Sequence, residues 1–332
     1  MNKTKKIIAG NVRDLVIALV IIALAIFVNI RSTGAFLTKE NISDTLSETA
    51  VMAIMSVGMM LVLLTGGIDL SSGAIMGLAG MTATTILKNN NSLNPFIIVL
   101  IAVLIGLICG LINGFLVAKL NIFPIIATLG TMYIFRGLVY VVSPVGRVNP
   151  QEMSESFLNI ATKPWIPGIN NLILITIIIY VIAWFLLEKV RIGRRVYVVG
   201  NSIESARVSG IKPSRVIMSV YTIAGALAGL GGILYVGKYS FATGDTGTGF
   251  EMNLIAVCVL GGVSVNGGTG RIPGVILGAI LFGELTRAMP MINISQFWQE
   301  AVRGIIIIAS VIINALIQRN VERKSLERRA EL

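Results

Sequence analysis

The sequence predicts an all-α membrane protein, a polytopic helical bundle of about ten spans in which some helices are broken or re-entrant. Of its 332 residues, 55% are hydrophobic and 13% are charged, and the mean hydropathy is +0.85. So few polar residues cannot cover the surface of a soluble globule of this size. Long apolar runs recur, each near the roughly 20 residues that a helix needs to cross a bilayer. We therefore expect one transmembrane domain over residues 1–332.

Ten apolar runs are interpreted as spans, the first beginning near residue 15 and the last ending near residue 317. They are residues 15–30, 49–64, 72–87, 95–120, 123–142, 172–187, 216–236, 252–263, 272–285 and 301–317. Basic residues concentrate at the start of the chain, in residues 188–215 and in the tail 318–332. Because Lys and Arg favour the cytoplasmic side, these segments and both termini are predicted to be cytoplasmic. Even numbers of spans separate the three segments, which agrees with this orientation.

The charge and the rare residue types exclude several classes of function. A net charge of +11 would suggest a nucleic-acid partner for a soluble protein. Here the basic residues cluster at predicted span ends, where anionic membrane lipid is the expected partner, and no nucleic acid is expected. The chain has no histidine, and Cys109 and Cys258 lie far apart inside apolar runs. Neither a metal site nor a cofactor is predicted.

Glycine pairs interrupt the helical pattern at membrane depth in two segments, TGGIDLSSG (65–73) and GGVSVNGGTGRIPG (261–274). Irregular backbone is tolerated there only where it is buried in protein or lines a water-filled cavity. Broken helices in corresponding positions indicate a transport pathway. Gly66, Gly67, Asp69 and Ser71 of the first segment are therefore candidates for the pathway.

Further pathway candidates are polar side chains inside or at the start of spans: Thr128, Thr131, Glu251 and Asn253. Each also has a structural interpretation. Asp69 and Glu251 could cap the helices that follow them, and the threonines could bond the preceding turn's carbonyls. Glu284 and Arg287, three apart on one helix face, could pair locally, and snorkelling or structural pairing is the interpretation favoured for them.

Several predicted spans carry small residues four positions apart, a pattern typical of closely packed membrane helices. The residues are Gly106, Gly110 and Gly114, then Gly225 and Gly229, then Gly274 and Gly278. We expect the helix backbones to approach closely at these positions.

The polar segment 188–215 contains RIGRRVYVVGNSIESARVSGIKPSR, between two apolar spans. Residues 201–209 are predicted to form a short helix that Asn201 caps, with Glu204 reaching back to the cap and Gly210 ending the helix. Ser205 and Ala206 are expected to face outward. So short a helix needs docking to be stable, so it either fits a partner's groove or is an ordinary loop.

Residues 193–211, GRRVYVVGNSIESARVSGI, resemble the cytoplasmic coupling loop of the ribose-type ABC importer permeases, which carries an E-A-A…G pattern. Glu204, Ser205, Ala206 and Gly210 stand at the pattern positions, with Ser205 replacing the first alanine. Residues 65–73, 121–138 and 248–270 resemble other motifs of that family, so the likeness covers roughly residues 50–315. Asn253 stands where the family usually has an acidic residue, and Val263 and Val265 replace more polar residues, which leaves the particular sugar open.

The resemblance implies a type II ABC importer-like permease for a monosaccharide in the bacterial plasma membrane. Two permease copies, identical or paralogous, would form the pathway. Each would sit on an ABC ATPase subunit through the coupling helix, and an extracellular or periplasmic sugar-binding protein would deliver the solute.

The chain is not expected to be an enzyme. GILYVGKY (232–239) approaches a phosphate-binding loop, but Tyr239 stands where Ser or Thr must hold magnesium. ATP hydrolysis would then belong to a partner subunit. Other solutes remain open: nucleosides, branched-chain amino acids or a sugar-like signalling molecule. An ion-driven secondary transporter and a purely structural membrane protein are the alternatives outside this class.

Overall fold

The computed structural model describes residues 3–143, 145–295, 297–302, 304–306, 308–309 and 312, and the all-α prediction is confirmed for this part of the chain. The long helices are α1 Lys3–Arg31, α2 Lys39–Leu64, α3 Ser72–Asn89, α4 Pro95–Ala118, α5 Pro124–Val142, α7 Asn171–Glu188, α10 Pro213–Tyr239 and α12 Ile272–Met291. The shorter ones are α6 Glu155–Thr162, α8 Arg191–Asn201, α9 Ile203–Val208 and α11 Phe250–Leu260. A 3-10 helix, Pro150–Glu152, and an antiparallel ribbon of β1 Arg147–Val148 and β2 Ala242–Thr243 complete the described elements.

Seven of the described helices, α1, α2, α4, α5, α7, α10 and α12, are long and apolar enough to cross a membrane. The predicted third span coincides with α3, which is not among the seven, and the predicted eighth is the 11-residue α11. The predicted tenth span, 301–317, falls largely outside the described residues. The count of ten spans therefore stays a prediction.

α2 is the centre of the bundle. In its apolar window 89% of the residues are buried, compared with 11% for α1 and 28% for each of α4, α5 and α7. It packs against α7, α10, α11 and α12. α3 is also enclosed, between α4, α5 and α10, and every residue from Ser72 to Ala83 except Thr82 is buried. A helix shielded from lipid does not need a uniformly apolar surface, which explains the modest hydropathy of α3.

The glycine stripes bring α4 and α10 into close contact, as predicted. A Cβ atom at Gly225 would lie 2.7 Å from the Cα of Gly110, and one at Gly114 would lie 2.9 Å from the Cα of Met218. The third stripe packs α12 on the end of α11, since a Cβ at Gly278 would lie 2.8 Å from the nitrogen of Gly261. Close backbone approach of this kind holds helices together in lipid.

Arg287 makes the structural pairing favoured for it, but its partners lie at the start of α2 and not at Glu284. Its guanidinium donates to Asn41 Oδ1 at 3.0 Å and to Glu48 Oε1 at 3.0 Å, and it lies 3.4 Å from Asp44. These polar partners belong to the first turns of α2, which begins at Lys39, well before the predicted residue 49. The first turns of α2 are polar and are stabilised by Arg287, which is distant in sequence. The apolar pattern of the sequence therefore could not predict where this helix begins.

Candidate functional site

The polar segment 188–215 folds into two helices, where the sequence predicted one. α8 carries three arginines yet buries Gly193, Val196 and Val199 on one face, so it is amphipathic. Asn201 is its last residue, so the prediction that Asn201 caps the next helix is wrong. Its amide nitrogen instead donates back to the carbonyl of Tyr197 at 2.8 Å.

Ser202 caps α9. Its backbone is extended, and its hydroxyl accepts the Ser205 N–H at 3.1 Å. Glu204 is therefore the second helical residue, one position too early to complete a capping box with Ser202. Ala206, predicted to face outward, is fully buried, while Ser205 is exposed, because a two-turn helix must seat one face on the protein to be stable. Gly210 ends α9 with a φ of +75°, as predicted.

The end of α8 meets both broken segments at one point, which we call the glycine junction: Gly66, Gly200, Gly267 and Gly268. The Gly268 N–H donates to the carbonyl of Leu64, the last residue of α2, at 2.9 Å. Both predicted breaks are confirmed, since the backbone leaves the helix after Leu64 and again after α11. The junction therefore joins the polar segment to the two interruptions of the bundle.

Tyr197 and Asn201 of α8 fasten the second broken segment to this junction. The Tyr197 hydroxyl donates to the Gly270 carbonyl at 3.0 Å, and the Asn201 amide lies 3.5 Å from the Gly268 carbonyl. The sequence analysis did not single out Tyr197. The only indication of its role was that an aromatic residue follows several arginines.

Only glycine fits at these positions. A Cβ at Gly200 would overlap the Leu64 carbonyl and lie 2.7 Å from the Gly268 nitrogen. Gly66, Gly267 and Gly268 have φ values of +76°, +87° and +71°, which strain any other residue. Backbone thus touches backbone directly where α8 meets both broken segments.

Asp69 anchors the first broken segment from inside the protein. It is 1% exposed, and its carboxylate accepts the Ser71 N–H at 2.8 Å and the hydroxyls of Ser71 at 2.6 Å and Ser72 at 2.9 Å. Ser71 is the N-cap of α3, so Asp69 holds the turn before the helix and is not its cap, and Ser72 donates its hydroxyl where an N–H was expected. Three hydrogen bonds offset the cost of burying the carboxylate.

The network continues to α4 and α5. The Asn113 amide donates to Ser71 Oγ at 2.7 Å and its oxygen accepts the Thr131 hydroxyl at 2.6 Å. Thr128 accepts the Leu70 N–H at 3.1 Å and lies 2.9 Å from the Pro124 carbonyl, the helical bond predicted for it. Asn113 was missed, although an amide inside an apolar span is itself a signal. Thr128 and Thr131 are buried, so they hold the broken segment in place in this conformation.

The other two pathway candidates lie at the start of α11, which Gly249 precedes with a left-handed backbone. Glu251 is close to Gly73 of α3, and its Oε2 atom is buried without a hydrogen bond. Asn253 lines a cavity of about 200 Å³ between α2, α10, α11 and α12. The structure thus separates the six polar candidates into the buried network of four and this pair on α11.

The cavity combines aromatic walls with polar groups. Tyr235 lies 4.5 Å from Tyr239 and 6.0 Å from Phe250, measured between ring centroids, with the second pair edge to face. Glu48, Thr49, Asn253 and Thr286 supply the oxygen and nitrogen atoms. Among the described residues that line it there is no lysine or arginine. Such walls suit a small uncharged molecule that has both hydroxyl groups and an apolar face.

Taken together, a helical bundle with two glycine-rich interruptions and a polar segment that joins them defines a multi-pass membrane permease. The chain matches the family described as branched-chain amino acid transport system / permease component over residues 41–311. It belongs to this family.

Relatives with assigned names cover most of the chain. It is 35% identical over 306 residues to the ribose import permease protein of Escherichia coli K12. The aligned region covers 89% of this chain and 92% of that protein. It is 35% identical over 297 residues to the galactose/methyl galactoside import permease protein of Haemophilus influenzae, at 85% and 88% coverage. It is 36% identical over 304 residues to the L-arabinose transport system permease protein of Escherichia coli K12, at 92% and 90% coverage. No solved structure matches the chain significantly.

Proposed function

We propose that this chain is the transmembrane subunit of an ATP-driven ABC importer for a monosaccharide. The observation that carries the proposal is the glycine junction, where α8 contacts both broken segments. Three relatives that cover most of the chain are named for the import or transport of ribose, galactose and arabinose. The chain itself would perform no covalent chemistry, and the ATPase activity would belong to a separate subunit. The segment 232–239 supports this, because it lies inside α10 and forms no phosphate-binding loop.

The segment 188–215 would couple that ATPase to the bundle. α9 exposes Glu204 and Ser205 and buries Ala206, so one face is seated and the other is available for docking. Gly210 adopts the left-handed conformation that lets the chain turn towards α10. The Asn201 amide contacts the Gly268 carbonyl and so connects α8 to the glycine junction. When ATP closes the ATPase subunits, α9 would move with them, and α8 would pass the displacement through the glycine junction to the segments that carry Gly66, Gly67 and Asp69.

The cavity at Asn253 would receive the sugar on its way from the outer side. A monosaccharide has hydroxyl groups for the Asn253 amide and C–H faces for Tyr235 and Phe250. A free amino acid carries a carboxylate, and the described lining residues of this cavity include no lysine or arginine to pair with it. This favours a sugar over the branched-chain amino acids in the family's description, while nucleosides and sugar-like signalling molecules share the hydroxyl chemistry.

Asp69, Ser71, Thr128, Thr131 and Glu251 would line the pathway only in another state of the cycle. They are mostly buried in the present arrangement, where their hydrogen bonds hold the broken segment closed. An inward displacement of Gly66 and Gly67 would break those bonds and expose the same polar groups. A weak polar lining of this kind lets a solute pass without being retained.

The proposed assembly contains two permease copies, identical or paralogous, each with an ABC ATPase subunit, and an extracellular or periplasmic sugar-binding protein. The permease would lie in the bacterial plasma membrane with both termini in the cytoplasm. The basic residues of α8 and of its neighbours support this orientation, since they would contact the anionic inner leaflet.

The test is co-purification. The full-length chain is expressed in its host, extracted in mild detergent and analysed for a bound ATPase subunit. Glu204→Lys reverses the charge of an exposed residue on α9 and is expected to release at least nine-tenths of that subunit.

The matched control is Glu155→Lys, which reverses an exposed glutamate in the first turn of another short helix, α6. It should retain the ATPase subunit. Equal retention by both variants would contradict docking through α9, and the absence of any ATPase subunit from the wild-type preparation would contradict the importer assignment.

A further inference from the structure

A second cavity of the described chain is lined by residues other than the pathway candidates. It has a volume of about 510 Å³ and lies between α2, α7, α8 and α10. Its walls are almost entirely aliphatic, with Ile182 and Leu186 from α7, Ile223 from α10 and Ile192 from α8 among them. A sugar would find few hydrogen-bond partners on these walls, so the cavity does not belong to the proposed pathway.

This cavity opens on the side of the bundle that faces lipid. Both α7 and α10 are candidates to cross the membrane. On the walls Ile182 is 48% exposed, Leu186 40% and Ile223 42%. Aliphatic side chains exposed on membrane-spanning helices contact acyl chains, so a hydrocarbon chain can enter the cavity sideways from the bilayer.

One end of the cavity carries charge. Arg195 of α8 and Arg215 of α10 are the charged residues of the lining, and both are exposed. Within the part of the chain that the structure describes, neither guanidinium makes an ion pair or a side-chain hydrogen bond. Two unpaired guanidinium groups at the mouth of an apolar cavity complement a ligand with a negative head and a hydrocarbon body.

Residue types typical of the membrane–water interface lie near the mouth. Trp184, near the end of α7, lies beneath the ammonium of Lys189, which is 5.2 Å from the ring centroid. Tryptophan and lysine side chains concentrate at the membrane–water interface. Arg195 lies on the amphipathic helix that follows directly, so we expect its guanidinium near the same interface.

We propose that this cavity binds an anionic phospholipid. One acyl chain would occupy the aliphatic cavity, and the phosphate would lie between Arg195 and Arg215. A bound lipid would stabilise the packing of α8 on α7 and α10. Because α8 ends at the glycine junction, it would also stabilise the position of that junction. The inner leaflet as the source of the lipid follows from the proposed cytoplasmic position of residues 188–215.

The experiment measures lipid bound to the full-length protein. Purified protein is delipidated and titrated with phosphatidylglycerol or phosphatidylcholine in detergent, and bound lipid is counted by native mass spectrometry. The wild-type protein is expected to bind one phosphatidylglycerol with at least tenfold preference over phosphatidylcholine. The double variant Arg195→Gln with Arg215→Gln should lose that preference.

The matched control is the double variant Arg191→Gln with Arg194→Gln. It removes the same charge from exposed arginines of α8 that do not line the cavity, and it should keep the preference. A loss of preference in this control as well would overturn the proposal, because it would indicate unspecific attraction to a basic surface. Equal binding of the two lipids by the wild-type protein would overturn it whether or not the variants fold.

A second measurement identifies the occupant in the membrane. A photo-crosslinking residue in place of Ile223 is expected to capture phospholipid in intact cells. Capture of another protein chain instead would show that a partner's helix fills the cavity and would overturn the proposal. The titrations do not depend on ATPase binding or uptake, so their failure can be distinguished from a failure of the proposed transport function.

Discussion

At the scale of single residues, the polar side chains of this bundle fall into two groups with different consequences. Asp69 and Asn113 have their hydrogen-bonding capacity largely used inside the protein, so replacing either one leaves buried partners unpaired. Asn253 lies on a cavity wall, and no hydrogen bond of its side chain to the described residues competes with a solute. Substitution of Asn253 therefore tests solute binding with little cost to folding.

Replacing Asn253 by alanine is expected to raise the apparent KM for sugar uptake about threefold to tenfold, the effect of losing one neutral hydrogen bond. Uptake of radiolabelled sugar by whole cells measures it. Asn91→Ala, an exposed asparagine in the link between α3 and α4, should leave KM unchanged. An unaltered KM in the Asn253 variant would exclude this residue from the solute's route.

At the scale of elements, most helix bounds could be predicted because lipid imposes a continuous apolar run. α7, predicted at 172–187, spans Asn171–Glu188, and α12 begins at Ile272 as expected. The misses share a cause, since α8 and the first turns of α2 are polar and are stabilised by distant contacts. The Val196 face of α8 and the Arg287 partners of α2 become visible only when the other helices are in place.

The candidate site divides in the same way. The sequence located both broken segments and the short helix α9 from glycine patterns, although the cap of α9 is Ser202 and not the predicted Asn201. It could not show that Gly200 touches Leu64 and Gly268, because these contacts join three separate parts of the chain. The sequence also could not decide whether Asp69 has a structural role at the start of α3 or a role in transport. Both roles favour an acidic residue just before a helix.

The contact between α8 and the broken segments predicts how adding one methyl group at Gly200 affects stability and transport. Gly200→Ala must push α8 away from the Leu64 carbonyl, at a cost of about 1–3 kcal/mol. We expect a lower midpoint of thermal unfolding and reduced sugar uptake, while the ATPase subunit still co-purifies because α9 is intact.

The control for this variant is Gly137→Ala on α5, where no atom lies within 4 Å of the added Cβ. Alanine favours helix over glycine, so this variant should be as stable as the wild type or slightly more stable. Full uptake by Gly200→Ala would mean that the glycine junction does not transmit the displacement.

At the scale of the whole molecule, the described structure favours an external source of energy. The sequence contains no histidine, and the buried carboxylate of Asp69 is bound to three hydrogen-bond donors. A proton relay needs groups that exchange protons along the path, whereas Asp69 is held in fixed hydrogen bonds. The proposed energy source is therefore ATP hydrolysis outside the membrane.

Uptake by cells that carry this system should stop when ATP is depleted and continue when the proton gradient is collapsed at constant ATP. Accumulation of labelled sugar, with ATP measured in parallel, distinguishes the two conditions. An ion-driven transporter would give the opposite pair of results.

The pairing of α4 with α10 also bears on how the chain is made. α4 ends at Ala118 and α10 begins only at Pro213, so ribosomes complete the first helix well before its partner exists. Until then the groove formed by Gly106 and Gly110 has nothing to fill it. Nascent chains that stall between these points would expose this groove to the insertion machinery and to membrane proteases. Quality control could recognise unfinished copies by the exposed groove.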